Sequence, residues 1–399
     1  MTADILTAAE ALLPELVALR RSIHSEPELG LQNPKTSAKL RAALAGLPLE
    51  YRDGPSTSGF VAVLRGARPG RRVLLRGDTD ALPMHEDTGL DYASRVPGAM
   101  HACGHDAHAT MLAGAARLLA AGRDRLAGEV LFMFQPGEES WHGARCMLDD
   151  GLLDPLPEAA FALHVMPNQP RGTFGGRAGP LLASADILQV RVTGRGGHAS
   201  MPHDALDPVP IACEIVTAIQ AYVTRQVAVS DPVVVTIGKI EAGTTHNVIP
   251  ESAALLGTVR TLSPANRSRV QEGLRRLAQG IAGAHGASAE VAFVPGYPVT
   301  VCDARAVSLG RRVAEELFGK EAWRTLEAPI MGAEDFSYVL EKVPGAMFFL
   351  GAAEGEGDPA ACCGLHSNRM TLDERVMARG AALLAEVAAR FLGQGFQAR

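Results

Sequence analysis

Apolar positions recur at helical spacing over residues 4–24, where Ile5, Leu12, Leu16, Leu19 and Ile23 share one side with Arg20 and Arg21 between them. Glu26-Pro27-Glu28-Leu29-Gly30 ends that helix, and 36–44 predicts a second one, stopped by Gly46 and Pro48. Short apolar runs at 60–64 and 72–75, split by Gly66-Ala67-Arg68-Pro69-Gly70, predict a hairpin. A helix follows over 109–121. Residues 130–134 and 161–165 are continuous apolar runs of buried-strand type. Strands alternating with helices, with polar clusters at the strand ends, define an α/β class.

From about residue 183 the texture changes. Residues 187–192 alternate apolar and polar, as a half-exposed antiparallel strand does. A helix is expected over 207–225 with Pro208 in its first turn, strands over 233–240 and 253–261, a helix opened by Ser263-Pro264 and running to 284, and a strand over 289–294. That order is the ferredoxin-like split βαβ arrangement. Residues 184–297 therefore read as an inserted α+β domain within a discontinuous first domain, 1–183 and 298–399. The first domain resumes with a helix over 305–318, a strand over 346–350 and a closing helix over 373–391. A length of 399 residues suits two domains, and no internal repeat is visible.

Charge narrows the partners. The net charge is -6 and no Lys/Arg-rich block occurs, so nucleic acid and anionic membranes find no electrostatic footprint. No apolar run reaches the roughly 20 residues of a membrane span. The N-terminus lacks a basic-then-apolar leader, and six scattered cysteines do not form a disulfide framework; a reducing cytoplasm is expected.

The chemistry collects at the strand ends, where ligands bind in α/β sheets. Met100-His101-Ala102-Cys103-Gly104-His105-Asp106-Ala107-His108 places a thiol and an imidazole two residues apart. Thiolate and imidazole are favoured ligands of borderline divalent ions. Glu138-Glu139 closes one apolar run, His164 stands at the end of another, and His366 follows a flexible polar loop. Cys103, His105, Glu139, His164 and His366 are one ligand too many for a closed structural zinc site. Two divalent ions (zinc, manganese, cobalt or nickel) sharing a ligand fit better, and their surplus positive charge suits a hydroxide and a substrate oxygen. Adjacent carboxylates at a strand end diverge, so Glu139 can bind metal while Glu138 acts as general base and then as proton donor to the leaving amine. Asp78 and Asp80 flank Thr79 and face one way if extended; the role expected is to orient a histidine ligand. His101 and His108 would overfill the site; His24, His85 and His285 suit surface or capping positions, and His142 beside Trp141 suits the mouth. In the inserted domain, Gly194-Arg195-Gly196-Gly197-His198-Ala199 lets backbone approach a ligand. Pro202 and Pro208 exclude its reading as a dinucleotide fingerprint. Asn247 and Arg260 are further candidate donors, Arg260 suiting a carboxylate.

These segments, together with Leu19-Arg20-Arg21-Ser22-Ile23-His24, Arg76-Gly77-Asp78-Thr79-Asp80-Ala81-Leu82-Pro83, Phe134-Gln135-Pro136-Gly137-Glu138-Glu139, Asn247-Val248-Ile249-Pro250, Met331-Gly332-Ala333-Glu334-Asp335-Phe336 and Leu365-His366-Ser367, resemble the M20 metallopeptidase family. The likeness is to its N-acyl-amino-acid amidohydrolases, which include hippurate hydrolases and auxin-conjugate hydrolases. The resemblance implies a zinc-peptidase-like domain with a mixed central sheet, and an inserted domain that mediates dimerisation into a homodimer or homotetramer. It implies a binuclear site bridged by Cys103, with His105, Glu139, His164 and His366 as ligands, Glu138 as base and Asp80 behind the metals. In some relatives a histidine matching His198 reaches into the partner's site. The wider family usually has a histidine ligand where this chain has Asp78, so no ligand role passes to Asp78.

The expected reaction is hydrolysis of an N-acyl amino acid to a carboxylic acid and a free amino acid. The alternatives are an aminopeptidase or dipeptidase on the same scaffold, a thiol amidase with Cys103 as nucleophile and His105 as base, and a non-catalytic binding or dimerisation module.

Overall fold

The computed structural model describes residues 2–396 and divides into two compact units. Among these residues the first comprises 2–181, 301–328 and 335–396; the second comprises 182–300 with the short segment 329–334, which the apolar pattern leaves with the first.

An eight-stranded mixed sheet forms the first unit. Its centre is four parallel strands in the order Ala127–Gln135, Arg68–Asp78, Ala159–Met166, Gly345–Gly351. These are the chain's most apolar runs: Val73, Leu74, Leu75, Val130 to Phe134 and Phe348 are fully buried. Such runs need cover on both faces. The helices His105–Ala121 and Val376–Gln394 supply it on one side, packing on each other and on Arg68–Asp78. Parallel register brings the strands' carboxyl ends to one edge: Asp78 pairs with Gln135, and Met166 with Gly351.

The expected hairpin of 60–64 with 72–75 does not form. Phe60–Arg65 pairs instead with Leu49–Asp53 and with Ala127–Gln135, which lies between it and Arg68–Asp78. Ala127–Gln135, with its apolar run Val130 to Phe134, buries both edges by taking a neighbour on each side, an advantage that outweighs the local turn signal.

The second unit is a four-stranded antiparallel sheet, Val233–Ala242, Ser252–Thr261, Ser184–Thr193, Ser288–Pro295 in spatial order, with helices Pro208–Gln226 and Pro264–Ala284. Both helices start where the sequence predicts. Asp207 accepts from the Val209 amide, Ser263 accepts from the Asn266 amide, and a proline follows each cap. Leu188, Val190, Val192, Ile215, Val259 and Leu274 form its core. The connectivity is the ferredoxin-like one. No helix among the described residues is long and apolar enough to cross a membrane.

Candidate metal centre

Asp78, Thr79 and Asp80 leave the sheet at the end of Arg68–Asp78, and Asp80 organises what lies across from it. Its Oδ1 accepts from the Glu138 amide and its Oδ2 from the Glu139 amide, both at 2.9 Å. Its backbone carbonyl accepts from His105 Nδ1 at 2.8 Å. The carboxylate thus fixes the Glu138-Glu139 turn, and the carbonyl aims the ring of His105. The turn is tight, with positive φ at Gly137, Ser140 and His142.

Cys103 precedes the helix His105–Ala121 by one residue, Gly104. Gly104 has φ +86°, and a Cβ there would lie 2.3 Å from Val165 Cγ2, so glycine alone fits. Cys103 Sγ lies 3.5 Å from His164 Nε2, while His164 Nδ1 donates to the Val165 carbonyl at 2.7 Å. His366 has φ +63° and is half-exposed; its amide donates to the Ala102 carbonyl at 2.8 Å, and its Nε2 lies 3.2 Å from Glu139 Oε1. All five candidate ligands therefore come together although Cys103 and His366 stand 263 positions apart in the chain. They form two triads, Cys103–His105–His164 and Cys103–Glu139–His366; the ligand atoms within each triad lie within 4.8 Å of one another, and Cys103 belongs to both.

These groups suit divalent cations. The Nε2 of His105 is buried and makes no hydrogen bond. His105 Nε2 faces Asp78 Oδ2 at 3.6 Å, Glu138 Oε2 at 3.9 Å and Glu139 Oε1 at 4.0 Å. Burial alone would lower the His105 pKa, but the Asp78 carboxylate raises it well above the usual histidine range. A positive charge is favoured at that nitrogen, and a dication satisfies the same field. Burial drives His164 well below its usual value, so its ring is neutral and its Nε2 lone pair available. Burial also pushes the Cys103 thiol up to about 12, so the thiolate needs a cation beside it. For Glu139, burial opposes ionisation but His366 and His105 hold the pKa below the usual carboxylate value.

A layer the sequence reading missed lies beneath these residues. Arg76 is buried and donates to Gln135 Oε1 at 2.8 Å, Asp78 Oδ2 at 2.6 Å and Asp335 Oδ1 at 3.0 Å. Asp335 also accepts from Gln135 Nε2 and from the Ala144 amide at 2.8 Å. The available signal was an arginine inside an apolar strand run, which at a buried position requires paired carboxylates. His24 is not a surface group. It is 1% exposed, with Nδ1 at 2.8 Å from Asp106 and Nε2 at 3.2 Å from Glu86, because Arg20 and Asp106 join the first helix to the metal-type loop. His142 Nδ1 meets the Tyr338 hydroxyl at 2.9 Å.

In the second unit, His198 and Asn247 are neighbours: His198 pairs with Val248, and the Ala199 amide donates to the Asn247 carbonyl. His198 Nδ1 accepts from the Ser200 amide at 3.1 Å, and the residue is exposed. Arg260 does not join them. It is eight positions along Ser252–Thr261 from Ser252, roughly 26 Å at about 3.3 Å per residue.

Residues 74–390 match the family described as Peptidase family M20/M25/M40, and the chain belongs to that family. It is 37% identical over 382 residues to N-acetylcysteine deacetylase of Bacillus subtilis (strain 168), covering 96% of this chain and 98% of that one. It is 36% identical over 381 residues to thermostable carboxypeptidase 1 of Saccharolobus solfataricus, covering 94% and 95%. Among solved structures it is similar to a dinuclear metal binding peptidase of the M20 family from Bacillus subtilis, with 35% identity, TM-score 0.83, and coverage of 96% of this chain and 99% of that one.

Loading the centre with zinc near neutral pH should release about two protons per chain, one from the Cys103 thiol and one from the His105 imidazolium, because each carries its proton in the metal-free protein. Affinity should therefore rise with pH. Calorimetry in buffers of different ionisation enthalpy measures the count; no proton release would contradict the thiolate assignment.

Proposed function

We propose that the protein is a binuclear metal-dependent amidohydrolase that cleaves N-acyl amino acids, hippurate-like substrates among them, to a carboxylic acid and a free amino acid. The observation that carries this reading is the pair of ligand triads with Cys103 in common. Cys103, His105, Glu139, His164 and His366 would hold two divalent ions, drawn from zinc, manganese, cobalt or nickel. Such ions supply Lewis acidity, polarising the amide carbonyl and easing deprotonation of the attacking water.

The chain's own residues do the rest. Glu138 is buried beside the triads, with Oε2 at 3.9 Å from His105 Nε2, and its backbone is pinned by Asp80. It takes the proton of the attacking water and returns it to the departing amine nitrogen. Asp80 acts by holding: both carboxylate oxygens are engaged by backbone amides, so it positions Glu138, Glu139 and His105. The names of the relatives support the substrate class. A deacetylase of N-acetylcysteine and a carboxypeptidase both cut an amide whose amine half is an amino acid with a free carboxylate. Arg260 is our candidate for binding that carboxylate.

His198, Asn247 and Arg260 cannot meet around one small substrate within a single copy, given their separation along the sheet. This favours a homodimer or homotetramer, formed through the inserted domain, in which His198 and Asn247 serve a neighbouring subunit's site. The six free cysteines agree with a cytoplasmic setting. An aminopeptidase or dipeptidase needs a pocket for a free amino group, which no observation favours. Thiol catalysis by Cys103 is opposed by the burial that keeps the thiol protonated and by the Asp78 carboxylate, which against burial keeps His105 in its charged form, unable to accept the thiol proton.

Benzoyl-, acetyl- and indoleacetyl-amino acids, assayed after reconstitution with each ion, should include at least one substrate, and a chelator should abolish its turnover; turnover that survives the chelator returns the thiol mechanism. Glu138→Gln should lower kcat by about 10²–10⁴-fold with metal content unchanged; loss of metal from it would exchange the roles of Glu138 and Glu139. A mixed dimer, with His198 replaced in one subunit and Glu138 in the other, should retain partial activity, whereas a His198 that serves its own subunit gives none.

A further inference from the structure

Asp78, His105 and His108 also place ligand atoms within 4.8 Å of one another, which by proximity alone would suggest more ligands for the centre. Their hydrogen bonds argue otherwise. His108 Nδ1 lies 2.7 Å from Asp78 Oδ1, and Asp78 Oδ2 accepts from Arg76 Nη1 at 2.6 Å. The Val165 amide donates to His108 Nε2 at 2.9 Å. An amide N–H can only donate, so Nε2 is the acceptor and Nδ1 carries the proton given to Asp78. Both ring nitrogens are thus committed, and the tautomer is fixed. The same residue, Val165, accepts through its carbonyl from His164 Nδ1 at 2.7 Å, and the rings of His108 and His164 meet edge-on at 4.4 Å between centroids.

We infer that His108, held by the Arg76–Asp78 pair, is a positioning residue for the ligand His164 and not itself a ligand. The inference rests on the binuclear reading for its consequence, but the hydrogen-bond chain stands without it. Arg76 fixes Asp78, Asp78 fixes the ring of His108, and the ring fixes the peptide of Val165. The carbonyl of the same residue, in the next peptide, accepts from His164 Nδ1 and so sets its tautomer, and the Nε2 lone pair of His164 is turned toward Cys103. The helix His105–Ala121 and the strand Ala159–Met166 are tied together through this imidazole. Asp78 acquires a role here that its place beside Asp80 in the sequence does not suggest: it faces the helix, while Asp80 faces the Glu138 turn.

The experiment compares His108→Leu, His108→Gln and Asp78→Asn with the unmodified chain, measuring zinc affinity and stoichiometry in each. His108→Leu removes both bonds and should weaken zinc binding by about 10–100-fold, with full stoichiometry restored at high zinc. His108→Gln keeps one donor and one acceptor and should stay within about threefold. Asp78→Asn keeps the packing but sets an N–H against either Arg76 or the His108 Nδ1–H, and should weaken binding by about tenfold even if His108→Leu does not fold. Loss of one equivalent of zinc from His108→Gln, not restored by excess, would make His108 a ligand and overturn the inference. Unchanged affinity in His108→Leu and Asp78→Asn would overturn it too. Nitrogen NMR of the metal-free protein separates this question from the reading of the site as a whole. His108 should show a neutral, Nδ1-protonated ring, and a ring protonated at Nε2 would contradict the chain even if the protein took up no ion at all.

Discussion

Gathering four carboxylates and several imidazoles in a largely buried space is the constraint on which this structure turns. At low effective dielectric, like charges a few ångströms apart repel strongly, and each one left alone would take up a proton. Here three of the four are given counterparts. Asp80 has two backbone amides, Asp78 has Arg76 and His108, and Glu139 has His366. The negative field that remains is concentrated at His105 Nε2, a nitrogen with no hydrogen bond. A mostly apolar interior has been arranged so that its one large electrostatic demand falls where cations belong.

Topology makes this arrangement possible. Four parallel strands end at one edge, so residues scattered between Asp78 and Gly351 in the chain share a rim a few strands wide. The Cys103–His105 loop is carried to that rim by a helix that packs closely enough on Arg68–Asp78 for Gly77 to have no room for a side chain: a Cβ there would lie 2.9 Å from the His108 carbonyl. The second unit follows different rules, an antiparallel sheet with one helical face, and its site candidates His198 and Asn247 lie at a strand end far along the sheet from Arg260.

Much of this was legible in the sequence, and for identifiable reasons. Continuous apolar runs such as Val130 to Phe134 announce a buried strand, alternation over 187–192 announces a half-exposed one, and Asp207-Pro208 and Ser263-Pro264 mark helix starts by capping chemistry. The candidate ligands stood out because each polar group interrupts or ends such a run. What could not be read was pairing between distant segments. Nothing local says that Ala127–Gln135 enters between two strands that precede it, and the hairpin expectation failed there. Nor does any spacing reveal that Arg76 meets Asp335, or that His24 is sunk against Asp106, since those bonds span 259 and 82 residues. The separate duties of Asp78 and Asp80 were hidden for the same reason.

One asymmetry between the two triads has a kinetic meaning. Cys103, His105 and His164 are all under 9% exposed, whereas His366 is 55% exposed and is carried on a strained residue after a polar loop. An ion among the first three would be walled in and slow to leave. An ion leaning on His366 would trade places with the medium more readily, since one of its ligands is itself open to solvent. Starved of metal, such a protein would empty from the outside inward, and it would pass through a half-filled form on the way.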